Sequence, residues 1–176
     1  MEVMAVLISI NKPHTDDIFS GEKGLEWRKH PLPEDLYYVY ETKNKGGCGK
    51  VIGEMRIVGN RAVDTSGPLE VYLVNAGRVH PVTLKKYANN GVVYANFIKD
   101  AKRYAEPKEL QEFRRPCISP EFPYCPDCPV GGEYISESEL ESLAMDGECR
   151  TEWYCNNVLK RPPQSWCYVE ERYDRS

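Results

Sequence analysis

Nine residues, Gly21 to Lys29, constrain the fold of this chain more than any other stretch. They place Lys23, Glu26 and Arg28 beside Leu25 and Trp27. Side chains alternate across a strand with period two, so Leu25 and Trp27 share one face and Glu26 and Arg28 the other. A solvent loop seldom needs the tryptophan, and a core strand seldom needs the charges. The pattern predicts a strand over Leu25 to Lys29 that lines a cleft, its apolar face on the core and its charged face toward a polar ligand. Lys23 has the parity of Leu25, so it joins the charged face only from the turn before the strand.

The neighbouring segments frame this strand. Val3 to Ile10 is almost wholly apolar and predicts a strand buried on both faces. Pro13 suits a helix first turn, Asp16 and Asp17 favour its dipole, and Gly21 suits a left-handed stop, so a short helix is predicted over Pro13 to Ser20. Leu36 to Thr42 and Val51 to Val58 predict strands, separated by an exposed, basic Lys/Gly loop over Lys43 to Lys50. Leu69, Tyr72, Leu73 and Ala76 predict an amphipathic helix ending at Gly77, and a second helix follows over Val82 to Ala88. Val92 to Lys102 predicts a strand, Pro107 to Phe113 a short helix, and Trp166 to Glu170 a closing strand. Regular strand–helix alternation is absent, which argues against a doubly wound parallel sheet. The expected architecture is α+β: about five short strands in a small closed or nearly closed barrel, with short peripheral helices.

Charge divides the chain. Residues 1–116 hold 18 Lys+Arg against 15 Asp+Glu, and residues 117–160 hold 2 against 9. The acidic balance therefore belongs to one segment, and residues 116–160 are expected to form an insertion apart from a barrel built of 1–115 and 161–176. The mildly basic remainder leaves a polyanion partner open, because binding follows local potential. The acidic insertion could itself dock a protein partner. No apolar run approaches the roughly 20 residues of a membrane helix, and Met1 to Ile10 lacks a basic leader, so the expected location is cytoplasmic.

Seven cysteines, an odd number without an export signal, argue against a disulfide framework. Cys125 and Cys128 form a tight knuckle, and Cys149 and Cys155 follow at wider spacing. Four thiolates on a segment poor in apolar residues fit a structural, tetrahedral zinc, with Cys117 able to replace one of them. Free reduced thiols are the plain alternative. Cys48 falls in the glycine loop, and Cys167 in the last strand reads as a small core residue. His14, His30 and His80 have no ligand spacing and read as ordinary residues. Tyr37, Tyr38, Tyr40, Trp27 and Trp166 read mainly as core, with at most one of them a platform for stacking a base.

Four ordered motifs resemble the ASCH domain, a branch of the PUA-like barrels. The family pattern Gly-x-Lys-x-x-Glu-x-Arg is matched by Gly21, Lys23, Glu26 and Arg28. Leu7 to Pro13 is similar to the family's opening strand and turn, and Val51 to Glu54 to its Val-x-Gly-Glu strand. Pro162 to Val169 is similar to the Pro-Gln-Ser closing strand of a bacterial and phage-associated subgroup. The resemblance covers 1–115 and 161–171. It implies a cleft beside the motif strand that binds RNA or a modified nucleoside, with Lys23, Glu26, Arg28 and Ser165 as ligand-binding residues. It also implies an alternative, an amidohydrolase acting on N4-acetylcytidine-like nucleosides. In that case Lys23 and Glu26 would be catalytic, although Glu26 stands where the enzyme branch carries threonine. Arg28 could grip a phosphate or base carbonyl bidentately, and Glu26 could accept from an exocyclic amine.

Overall fold

A computed structural model describes residues 4–115 and 159–171. The first strand, β1 (Met4–Ile10), lies centrally, with β3 (Asp35–Glu41) parallel on one side and β6 (Trp166–Glu170) antiparallel on the other. It is buried on both faces, as its apolar run predicts. Val6, Ile8 and Ile10 join Ile18, Tyr37 and Met55 on one side, while Ala5 and Leu7 join Tyr38, Phe113 and Val169 on the other.

The sheet is mixed and six-stranded, in the order β2-β5-β4-β3-β1-β6, with β2 at Leu25–Arg28, β4 at Lys50–Asp64 and β5 at Val92–Lys108. The expected barrel is not closed. Among the described residues no ladder joins the edge strands β2 and β6. The chain supplies the reason. β2 has only four residues, and Pro31 and Pro33 just beyond it cannot donate to a ladder. The gap is crossed by a side chain instead, that of Arg28, described below.

Three expected boundaries are corrected. The strand read as Val51 to Val58 continues to Asp64, because Gly59 is absorbed in a register shift between Ile57 and Asn60 and does not end the strand. The helix expected over Pro107 to Phe113 is mostly strand. β5 runs to Lys108, and only Leu110–Glu112 forms a 3-10 turn. Beyond Phe97, β5 pairs with β4 alone, so Pro107 lies on an open edge where its missing N–H is tolerated. Third, the helix expected from Leu69 begins at Val71, and Tyr72 points outward to meet Arg61.

Three short helices complete the described residues: α1 (His14–Phe19), α2 (Val71–Gly77) and α3 (Pro81–Ala88). α1 is followed by Gly21 at φ +82°, the left-handed stop its sequence predicts. α2 and α3 cover β2 and the adjoining ends of β4 and β5, where Leu25 and Trp27 pack with Val63, Leu73, Leu84, Val93 and Ala95. No helix among the described residues is long and apolar enough to cross a membrane.

Candidate functional site

The motif strand is held by backbone bonds on both sides. In the turn after α1, Lys23 N–H donates to Asp17 O at 2.9 Å and Gly24 N–H to Ala76 O at 2.9 Å. β2 then pairs with β5, with Glu26 opposite Asn96. Asn96 is fully buried in β5. Its Nδ2 donates to Glu26 O at 3.0 Å, and its Oδ1 accepts from Leu32 N–H at 2.8 Å. One amide thus fixes both the strand and the proline turn after it, a role that no sequence signal marks.

This scaffold brings the three motif charges together. Lys23 reaches the charged face from the turn, as its parity requires. Its Nζ donates to Gly77 O at 2.5 Å and lies 3.4 Å from Glu26 Oε2. Arg28 Nη2 lies 3.2 Å from Glu26 Oε1. The same guanidinium donates to Ser9 O at 3.0 Å and to Ser165 Oγ at 3.2 Å. Arg28 therefore ties edge strand β2 to β1 and to the entry of β6. The Lys23 side chain is only 1% exposed, Glu26 10% and Arg28 17%. The three form a buried chain, cation–anion–cation, with one positive charge in excess.

The chain forms the floor of a cleft of about 980 Å³. α3 contributes Thr83, Leu84 and Tyr87 to one wall, and the segment 160–164 contributes Lys160, Pro162, Pro163 and Gln164. Ser165 is not on this wall; it meets the site through Arg28. Trp27 touches the cleft, although it is 6% exposed and packs mainly in the core under α2 and α3. A Cβ on Gly77 would fall 2.0 Å from Trp27 Nε1, so only glycine allows α2 to end this close to the motif strand.

The rim is basic. Lys43 and Lys160 line the cleft, are exposed, and have no ion-pair partner among the described residues. The loop bearing Lys43 is anchored by buried Glu41, whose Oε1 accepts from Thr15 Oγ1 at 2.7 Å and whose Oε2 accepts from Cys48 N–H at 2.8 Å. Burial pushes the Glu41 carboxyl up, but the hydrogen bonds from Thr15 and Cys48 outweigh it and hold the group below the usual glutamate range.

Two cleft residues escape sequence reasoning. Tyr87, on α3, is 41% exposed and lies under the Lys29 ammonium, 5.3 Å from its ring centroid. It is the open aromatic of the site. Tyr37 and Tyr38 are core, Tyr40 is 5% exposed at the cleft edge, and Trp166 packs against the core opposite Ile8 of β1. His14 is the second. It opens α1 and lines the cleft. Burial, then the positive charge of Lys23, holds its imidazole below the ordinary histidine range. Neither residue sits in a recognisable spacing, because the fold alone brings α1 and α3 to the motif turn.

Cys125, Cys128, Cys149 and Cys155, the expected zinc ligands, lie outside the described residues, as does Cys117. Among the described residues, no group of three or more His, Cys, Asp or Glu side chains is placed to hold a metal.

Neither a protein-family model nor a curated protein matches the chain by sequence. Comparison of folds does give matches. The chain is similar to the crystal structure of ASCH from Zymomonas mobilis, with TM-score 0.50 and 18% identity over 80% of this chain and 94% of that one. Two single-substitution variants of the same Zymomonas protein match with the same TM-score and identity, covering 96% and 94% of their chains. The mixed sheet with its short helices is thus the ASCH fold.

Proposed function

From the ASCH fold as a premise, we propose that the protein binds RNA or a modified nucleotide in the cleft above Lys23, Glu26 and Arg28. The observation that carries this reading is a charged floor buried beneath a lysine rim. Buried ion chains seldom raise stability over apolar packing, so their presence at a cavity is better explained by a ligand. The rim lysines Lys43 and Lys160 supply charge that the described residues do not neutralise, as phosphate binding requires. Tyr87 supplies an exposed ring on which a base can stack.

The amidohydrolase reading is weaker. It requires Lys23 to act on a substrate, yet Lys23 Nζ is engaged by Gly77 O and Glu26 and its side chain is almost wholly buried. Glu26 in turn is spent on two cations. As folded, the pair holds the floor together.

Arg28 is a poor choice for a test, because it also closes the gap in the sheet. The rim gives a cleaner one. The double substitution Lys43→Glu and Lys160→Glu should weaken binding of a single-stranded RNA by roughly a hundredfold near 0.1 M salt and leave the thermal midpoint unchanged. Fluorescence anisotropy with a labelled oligonucleotide measures it. Equal affinity for both proteins would remove the cleft from the reading.

A further inference from the structure

Three buried side-chain nitrogens among the described residues have no hydrogen-bond partner: His14 Nδ1, Trp27 Nε1 and Arg28 Nε. All three belong to residues on the cleft wall. An orphaned buried polar atom costs stability, so each one needs a reason. Trp27 Nε1 has one in its packing against Gly77. Arg28 has one in its other two nitrogens, which are placed by Ser9, Ser165 and Glu26. His14 has none. Among the described residues its side chain takes no part in any hydrogen bond or ion pair, and it caps nothing.

Nδ1 is closed off from solvent and His14 lines the cleft, so Nε2 is the ring nitrogen left to meet a ligand there. We propose that His14 is a specificity-determining residue of the site: its Nε2 hydrogen-bonds the edge of a nucleobase, while the phosphate of the same nucleotide sits on Lys43 and Lys160. This rests on the nucleotide reading above and adds an orientation to it, base inward and phosphate outward. The ligand class is then a phosphorylated nucleoside, free or within a strand, in preference to a bare nucleoside.

The distribution of charge supports that orientation. On the floor, Glu26 offsets one of the two charges of Lys23 and Arg28, and both cations are also held by Gly77, Ser9 and Ser165, so neither is free to turn to a phosphate. Within the cleft, the cations without a partner among the described residues are Lys43 and Lys160 at the rim. His14 itself stays neutral. Burial and the charges of Lys23 and Lys45 oppose its protonation, and Glu26 and Asp17 favour it less strongly. A cationic ring would also have to donate from Nδ1, which has no acceptor among the described residues. A neutral imidazole suits the uncharged edge of a base, and Tyr87 and Thr83 on α3 add a ring face and a hydroxyl to the same cleft.

The test is calorimetric titration with CMP, UMP, AMP, GMP and the matching nucleosides. The wild-type chain should bind at least one monophosphate, more tightly than its nucleoside. His14→Phe keeps a ring but removes Nε2, and should weaken that binding by roughly tenfold with the thermal midpoint kept or raised. His14→Gln keeps a hydrogen-bonding end that cannot titrate, so its affinity should fall with pH only as the ligand's own phosphate takes up its second proton, at about pH 6. From pH 8 into the mildly acidic range wild-type affinity should follow the same course, and it should fall more steeply than that of His14→Gln once the ring protonates. Unchanged affinity in His14→Phe across that range would overturn this inference alone. Failure of the wild type to bind any probe, RNA included, would overturn the nucleotide reading with it.

Discussion

The floor of the cleft and the far end of β4 use the same ion-pair chemistry in opposite surroundings. In the cleft, Lys23, Glu26 and Arg28 are nine-tenths buried or close to it, and both cations also bond to the fold, Lys23 through Gly77 and Arg28 through Ser9 and Ser165. At the end of β4, Arg61 meets Glu70 and the Tyr72 hydroxyl with about half of each charged side chain in solvent. Water and salt compete with the second group and hardly reach the first. The comparison separates two meanings of a salt bridge. The exposed cluster decorates a surface. The buried chain is a commitment: it fixes strand, turn and helix end around a cavity, and removing one member strands the others.

The comparison can be broken by experiment. The largest effect is expected from Glu26→Gln, which leaves two cations without their shared anion and should destabilise the fold by about 3–5 kcal/mol in urea denaturation. A loss under about 1 kcal/mol would place the cleft chain with the surface pairs. An intermediate effect is expected at His14. Its folded-state pKa lies below the ordinary value near 6.5, so the unfolded chain takes up the proton first. The stability this shift contributes is complete above about pH 6.5 and is lost as pH falls toward the lower folded value. His14→Phe should flatten that part of the stability–pH profile. An identical slope in both proteins would mean that His14 titrates as a solvent-facing histidine does. The smallest effect is expected from Arg61→Ala, which should leave the unfolding midpoint unmoved at physiological salt. A clear drop would show that solvent exposure is not what divides the two regions.

Much of the site was legible because period-two alternation is local. Glu26 and Arg28 on one face, Leu25 and Trp27 on the other, and Lys23 in the turn all follow from parity. The left-handed Gly21 and the doubly buried β1 are equally local. Strand length was less legible, because Gly59 and Pro107 ordinarily end strands, and here a register shift and an open sheet edge accommodate them. Closure of the sheet was not legible at all. It turns on whether β2 and β6 meet, and a single guanidinium between them gives no signal beyond the motif itself. Asn96, Tyr87 and His14 are long-range placements of the same kind. Each is an ordinary residue in its own segment and comes to the cleft or the motif strand only through the packing of β5, α3 or α1.

The most direct measurement maps where a nucleotide lands. The wild-type chain carries a second basic group, Arg56 directly opposite Lys99 with Lys102 nearby, exposed on β4 and β5 outside the cleft lining. In backbone-amide NMR spectra titrated with CMP or a short RNA, the cleft account predicts shifts centred on His14, Lys23, Lys43, Thr83 and Tyr87. Shifts confined to the strands around Arg56, Lys99 and Lys102, with the motif turn unmoved, would contradict it.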